Sequence, residues 1–243
     1  MKLAIFGATG TVGVPLVAQA LDAGHEVRVL VRDPAKVTRS HPSLTVLTGD
    51  AKDPEAVVAT VAGSDAVLSA LGGFADSDSI RVGTALITAA MHEAGLRRLV
   101  VVQGFHLDFP GDPRNVGRTL ILPLLWFGSR TLIADSRSMA RQLAASELDW
   151  TLVRVPRITN GASTGRARVG QLRLGPLNSV ANSDVARVAL AALPNPTTFG
   201  TAPMVANAGT HLLGTAGYWL LGRRPAPHTN PDPAATTSPG GQS

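Results

Sequence analysis

The chain has 243 residues, 44% of them hydrophobic, with a mean hydropathy of +0.16, which suits one large domain with a sizeable core. Cysteine is absent; this excludes a disulfide framework, thiolate zinc sites and a cysteine nucleophile, and fits a reducing, cytoplasmic setting. The net charge of +5 is uneven: residues 1–150 hold 14 Lys/Arg against 15 Asp/Glu, residues 151–243 hold 8 Arg against 2 Asp, and these scattered arginines lack the interleaved aromatics of a nucleic-acid surface.

KLAIF, at Lys2–Phe6, predicts a first strand. GATGTVG follows at residues 7–13, and a helix is predicted over Thr11–Ala23 with Gly24 as its stop. Strands are predicted at Glu26–Val31 and Leu44–Thr48. A helix runs from Pro54 to about Val61, with Asp53 as N-cap and Pro54 in the first turn. Then come a strand at Asp65–Ala70, a helix over about Ile80–Ala94 stopped at Gly95, and a strand at Arg98–Gln103. A loop with an apolar segment leads to a helix over about Leu132–Ser146 and a strand at Trp150–Val155. A last helix covers about Ser183–Leu193, capped by Asn182 or Ser183. The runs DAVLSA and RLVVVQ are apolar throughout, as strands buried on both faces are. This alternation predicts an α/β fold, a Rossmann-like doubly wound parallel sheet with helices on both faces. The end of the chain, residues 223–243, is rich in Pro, Ser, Thr and Gly and is expected to be a disordered tail.

GATGTVG is G-x-x-G-x-x-G between a strand and a helix. That pattern gives a tight turn and then lets a pyrophosphate approach backbone N–H groups at a helix N-terminus. Gly7 permits the turn, Gly10 leaves room for phosphate, and Gly13 lets the helix pack closely. Thr9 and Thr11 add hydroxyl donors, and Val12 lies within the cradle. Where an NAD site prefers an acid at the end of the second strand, this chain has Arg32, which can clamp a 2′-phosphate, with Lys36 as a second charge. NADP(H) is therefore expected over NAD(H); Asp33, next door, would suit NAD instead. Arg28 lies further back on the same strand. Asp50 can accept from an adenine amino group, with Ala51 beside the ring. Ala70, Leu71 and Gly72 end the fourth strand, and Gln103 and Gly104 the fifth, all where ligands sit in open parallel sheets.

The segments GATGTVG, VRDPAKV, TGDAKD, SALGG, SELDWTLVRVPRITNG and NSDVARVAL span most of residues 1–195. Together they resemble the atypical short-chain dehydrogenase/reductase superfamily, in its NAD(P)-binding, NmrA-like and biliverdin-IXβ (flavin) reductase-like branch. The resemblance implies a Rossmann fold, NADP(H) use and a substrate pocket over the nicotinamide. It implies one domain over residues 1–222, with substrate-covering segments at about 105–131 and 156–182.

The chain also departs from the superfamily's pattern. The carbonyl chemistry usual there rests on a Ser and a Tyr-x-x-x-Lys pair, the Tyr donating the proton. Here the one tyrosine is Tyr218, and the lysines are Lys2, Lys36 and Lys52, so no such pair exists. Gln103 and Gly104 stand where the Ser would be. Hydride transfer with a solvent-derived proton remains open, because the nicotinamide carries the hard chemistry. The candidate catalytic groups are Gln103, to orient substrate, Arg157, to hold an anionic group, and His106, a proton source if its pKa is near neutral or else an exposed loop histidine. Asp135 and Arg154 are further pocket candidates. Two functions follow: a reductase acting on a small aromatic, flavin- or quinone-like acceptor, or a non-catalytic NADP(H)-binding sensor or scaffold. No metal site is expected. The partner is a small molecule, and the chain is read as a monomer or homodimer.

The longest apolar stretch, TLILPLLWFG, is far shorter than the about 20 residues of a membrane span, and no secretory leader is read at Met1. Residues 119–130 are apolar enough to form a lid, a dimer contact or a membrane-surface contact, and residues 211–224 to form a peripheral membrane contact or a helix packed on the domain or on a second subunit.

Overall fold

Strands whose side chains are apolar in both directions need cover on both faces, and helices supply it. In the computed structural model, residues 1–72, 78–107, 109, 111–113, 130–174 and 178–207 are described. The order is β1 (Lys2–Phe6), α1 (Gly13–Asp22), β2 (Glu26–Val31), a 3₁₀ turn (Pro34–Lys36), β3 (Leu44–Thr48), α2 (Pro54–Val61), β4 (Ala66–Ser69) and α3 (Asp78–Glu93). It continues with β5 (Arg98–Gly104), α4 (Arg130–Ala145), β6 (Asp149–Val155), β7 (Arg157–Thr159), β8 (Ala167–Gly170), β9 (Ser179–Ala181), α5 (Asn182–Ala192), a second 3₁₀ turn (Pro196–Thr198) and β10 (Met204–Asn207).

The main sheet has the order β3-β2-β1-β4-β5-β6-β10-β8, with a two-stranded β7–β9 sheet beside it. Its strands run parallel except for the edge strand β8, which is antiparallel to β10. The order reverses between β1 and β4, and in open parallel sheets ligands bind outside the carboxyl ends of the strands at such a reversal. Alternate residues divide the core into two layers. Ile5, Val29, Leu68, Val100 and Val153 face α1 and α5, whereas Phe6, Leu30, Val67, Leu99, Val101 and Leu152 face α2, α3 and α4.

The α/β sheet and its helices are as expected, with boundaries shifted by a residue or two. Asp53 caps α2 by accepting from the Glu55 N–H at 3.0 Å. Two ends differ more. Thr11 and Val12 belong to the glycine turn, so α1 begins at Gly13. Neither Asn182 nor Ser183 caps α5: Ala181 holds the cap position with no side-chain bond, because the Asn182 amide is turned to Thr11 O (3.0 Å) and Gly161 N (3.2 Å). The short strands β7 to β10 were not foreseen; three or four residues carry too little period to read. No helix among the described residues is long and apolar enough to cross a membrane. Residues 223–243, the 211–224 stretch with Tyr218, and 119–129 lie outside the described residues.

Candidate cofactor and substrate site

The glycine turn leaves β1 at the reversal of strand order. Gly7 has φ +75°, and a Cβ there would lie 2.5 Å from Ala70 O at the end of β4. Both the backbone angle and the contact therefore require glycine. At Gly13 a Cβ would lie 1.9 Å from Gly7 O, so the first turn of α1 rests on the glycine turn itself. A Cβ at Gly10 meets only Gly7 O, at 3.2 Å. Thr9, Gly10 and Thr11 are exposed, while Val12 is buried in the core. The N-terminus of α1 has no capping side chain and no acid in its first turn. The Val14 N–H is already bonded to Gly10 O (3.1 Å), the Leu16 N–H to Val12 O (3.1 Å), and Pro15 has none, so what the start of α1 offers an anion is chiefly its positive dipole end.

At the end of β2, Arg32 is exposed. Asp33 accepts from the Ala35 N–H at 3.1 Å and caps the 3₁₀ turn, with Lys36 Nζ 3.9 Å from its carboxylate. Arg28 lies elsewhere: it donates to Ala59 O and Ala62 O at the end of α2. Asp50 accepts from the Lys52 N–H at 2.9 Å, and Ala51 and Leu71 pack partly buried against the α2–α4 layer. Ala70 is partly buried and Gly72 exposed.

Gln103 follows Leu99 and Val101 onto the face covered by α3 and α4, beside Arg154 in register. Its Oε1 accepts from the Gly104 N–H at 2.8 Å, and its buried Nε2 has no partner. A Cβ at Gly104 would lie 2.5 Å from His106 Nδ1, so the imidazole packs on the bare backbone. His106 is neither exposed nor near-neutral. It is 7% exposed, and burial, aided by Arg137, lowers its pKa to about 4. Its Nε2 also has no partner. Two hydroxyls join this face: Ser69 at the end of β4, and Ser136, which shares a stripe of α4 with Leu132, Met139 and Leu143. Both are buried and unpartnered. Asp135 is bonded to Arg81 Nε of α3 at 3.1 Å.

Arg154 is a structural residue. Its side chain is 1% exposed and pairs through both terminal nitrogens with Asp112, donates to Leu107 O and Ala202 O at 2.8 Å each, and stacks on Phe109. This straps the segment after β5 to the sheet. Arg157 is exposed and makes no hydrogen bond or ion pair among the described residues.

Three residues escaped the sequence reading: Asp112, Asn182 as a bridge, and Asp184. Asp184 is fully buried and accepts from Ser163 Oγ (2.6 Å), Thr164 N and Oγ1 (3.0 and 2.7 Å) and Gly165 N (3.2 Å). Burial pushes its pKa up, but these donors outweigh it and hold the carboxyl at about 2. Asn182 ties the same loop to Thr11 of the glycine turn. The acid in NSDVARVAL is a visible signal for a helix start, and Arg187 lies 3.5 Å from it one turn on, but its hydrogen-bond donors in the loop are 19 to 21 residues away.

A family described as NAD(P)H-binding matches residues 7–196. Among curated proteins, a 3-diazoavenalumate denitrifying reductase from a Streptomyces species is 30% identical over 189 residues, covering 70% of this chain and 60% of that protein. A 3-beta-hydroxysteroid dehydrogenase from Mycolicibacterium neoaurum is 33% identical over 113 residues, 41% of this chain and 31% of that one. The chain thus spans less than two thirds of the length of these relatives. Two solved structures share its fold. An anaerobillin reductase from Escherichia coli O157:H7 matches with TM-score 0.70 at 20% identity, over 88% of this chain and 100% of that one. A short-chain dehydrogenase/reductase from Veillonella parvula in complex with NADP matches with TM-score 0.70 at 19% identity, over 86% and 96%.

Proposed function

The chain belongs to the NAD(P)H-binding family and has the fold of the atypical short-chain dehydrogenases/reductases, and from that premise we propose that it is an NADP(H)-dependent reductase of a small aromatic, flavin- or quinone-like acceptor. The observation that carries this reading is the uncapped start of α1 behind a glycine turn at the strand reversal, with Arg32 at the end of β2 and Asp33 already spent on its own turn.

In this reading Gly7, Thr9, Gly10, Thr11, Val12 and Gly13 hold the pyrophosphate, largely through backbone N–H groups. Arg32 and Lys36 hold the 2′-phosphate and select NADP(H) over NAD(H). Asp50 and Ala51 meet the adenine, and Ala70, Leu71, Gly72, Gln103 and Gly104 line the path to the nicotinamide. When bound, the nicotinamide supplies the hydride. Gln103 Nε2 donates a hydrogen bond to the acceptor and orients it, and Arg157 holds an anionic group. His106 is neutral at pH 7, so it serves as a hydrogen-bonding group and the proton comes from solvent. Calorimetric titration with NADPH and NADH, repeated on Arg32→Ala, tests the cofactor assignment. Tight NADPH binding lost in the variant supports it; equal affinities unchanged in the variant overturn it.

A second reading rests on one observation: α4 carries neither Tyr nor Lys, so this helix supplies no proton donor of the usual kind. The chain would then be an NADP(H)-binding sensor or scaffold. NADPH oxidation across flavins and quinones, above a Gly10→Asp control, decides for the enzyme. Tight cofactor binding without turnover decides for the sensor.

A further inference from the structure

A serine or threonine in a helix can satisfy its hydroxyl on a carbonyl three or four residues back. Thr60 does so on Ala56 O (2.6 Å), Thr88 on Ala85 O (2.9 Å), and Ser146, just past α4, on Leu143 O (2.8 Å). Ser136 of α4 does not. It is fully buried, yet its Oγ has no partner among the described residues. An unbonded buried hydroxyl costs stability, so its place in a native core calls for a reason. Ser136 shares its stripe with Leu132, Met139 and Leu143, which pack in the layer between the sheet and α2–α4. It therefore faces the sheet, while its neighbour Asp135 turns to Arg81 of α3.

Opposite Ser136 is the end of β5. A crossover helix runs back against the strands it joins. Leu143, in the last turn of α4, packs in one cluster with Trp150 at the start of β6 and with Leu99, its partner in register on β5. From Leu143 back to Ser136 the helix rises about 10 Å towards the carboxyl ends. About three strand residues cover that height, which sets Ser136 level with Val102 and Gln103. Gln103 lies on the same side of β5 as Leu99 and Val101. Its Oε1 is held by the Gly104 N–H, so the amide is oriented and its buried, unpartnered Nε2 is left as a donor. Ser69 of β4, also buried and unpartnered, pairs in register with Val101, two residues before Gln103 and on the side of Val67. Three uncharged hydrogen-bonding groups, from three elements, thus meet on the α4 side of the sheet at its carboxyl end.

We propose that Ser136 Oγ and Gln103 Nε2 donate together to one carbonyl oxygen of the acceptor, which is therefore a neutral carbonyl compound of the quinone kind. The proposal rests on the reductase reading and narrows its acceptor. Uncharged donors hold a neutral oxygen, and they stabilise the negative charge that arises on it as hydride arrives. The hydride leaves the nicotinamide with both electrons of its bond and forms its new bond in the acceptor. An electron pair moves onto the carbonyl oxygen, and a proton from solvent neutralises it; the cofactor is left oxidised. Ser136 and Gln103 keep their own protons throughout.

The test uses the full chain with menadione, a naphthoquinone, and has two readouts. In the complex with NADP⁺, where no turnover occurs, infrared difference spectroscopy reads the carbonyl stretch of bound menadione. One carbonyl band, lowered by hydrogen bonding in the wild type, should move up in Ser136→Ala and in Gln103→Leu and remain low in Ser136→Thr, which keeps the hydroxyl. In turnover with NADPH, Ser136→Ala should lose about a hundredfold in kcat with little change in KM, the usual cost of one oxyanion donor. Failure of menadione to bind, or a band unmoved by either Ser136→Ala or Gln103→Leu, overturns the proposal. A loss of kcat without a band shift assigns Ser136 to packing and overturns it too. Reduction of riboflavin but not of menadione would assign a flavin acceptor and overturn the quinone class. A separate NADPH titration reads the reductase premise. If NADPH binds and menadione is reduced while Ser136→Ala changes nothing, the donor pair falls and the reductase reading stands; if NADPH does not bind, the reading itself falls.

Discussion

A methyl group at Gly13 would meet Gly7 O at 1.9 Å and Ala8 Cα at 2.7 Å, and backbone cannot swing aside as a side chain can. Gly13→Ala should therefore cost about 1–3 kcal/mol, the usual penalty of overpacking, seen as a lower urea midpoint at unchanged m-value. Gly10 differs, since a Cβ there meets one atom at 3.2 Å. Gly10→Ala should fold with near-normal stability and lose affinity for NADPH, because the open side of that position is where phosphate approaches. If Gly10→Ala instead binds NADPH as the wild type does, the phosphate does not sit over the turn. His106 gives a prediction in pH. Its folded pKa, about 4, lies below the ordinary 6.5, so between these values the unfolded chain binds more protons. The stability present above pH 6.5 is lost as pH falls towards 4, by on the order of 3 kcal/mol at the end of that window. Chemical denaturation of His106→Gln across pH 7 to 4 should show a flatter curve than the wild type; parallel curves would mean that the imidazole titrates freely. The Asp184 carboxyl, held at about 2, adds a second loss only between about 3.8 and 2.

At the scale of elements, the segment after β5 is fastened by one buried pair. Arg154→Met would leave Asp112 charged and 4% exposed with its main partner gone. Breaking such a pair from one side costs about 3–5 kcal/mol, whereas replacing both partners by apolar groups is often close to neutral. The double variant Arg154→Met/Asp112→Leu should recover much of the loss, measurable as a thermal midpoint above that of the single variant; a further drop would show that Leu107 O and Ala202 O depend on the guanidinium more than Asp112 does. This pair also marks what a sequence can and cannot disclose. The strands β1 to β6 and the helices between them follow from local apolar runs and from Asp53, Gly24 and Gly95 as punctuation, so they are legible. So is the glycine turn, because its chemistry is contained in seven residues. Arg154 is legible as a charge in an apolar strand, but its partner lies 42 residues earlier, in a segment with no period. His106 reads as a loop residue because nothing local shows that Gly104 lets its ring pack down onto the sheet. β7 to β10 are held by partners far off in the chain, such as Met204 with Gly170 and Arg154, and not by their own pattern.

The parallel strands of the main sheet carry their carboxyl ends to one side of the molecule, an arrangement that the unfolded chain does not have. A ligand that binds only the folded state stabilises it by mass action, by about 2.7 kcal/mol at a hundred times its dissociation constant. For a chain of this size each kcal/mol is worth about 2–4 °C, so saturating NADPH should raise the melting temperature by roughly 5–10 °C. The effect should extend beyond the glycine turn. Asn182 bridges Thr11 O and Gly161 N, and Asp184 fixes the next three residues of that loop, so ordering the turn also orders residues 161–165. Hydrogen exchange should then slow at Gly161, Thr164 and Gly165 as well as at residues 9–13 when NADPH is added. In Asn182→Ala the protection at 9–13 should persist while that at 161–165 falls away, because the donor to Thr11 and the acceptor for Gly161 are one side chain. Slowing confined to the turn in the wild-type chain would mean that cofactor and covering loop are uncoupled. Slowing at both in the variant would place the coupling in the backbone of α1 and α5, where Gln19 Nε2 donates to Ser183 O at 2.9 Å.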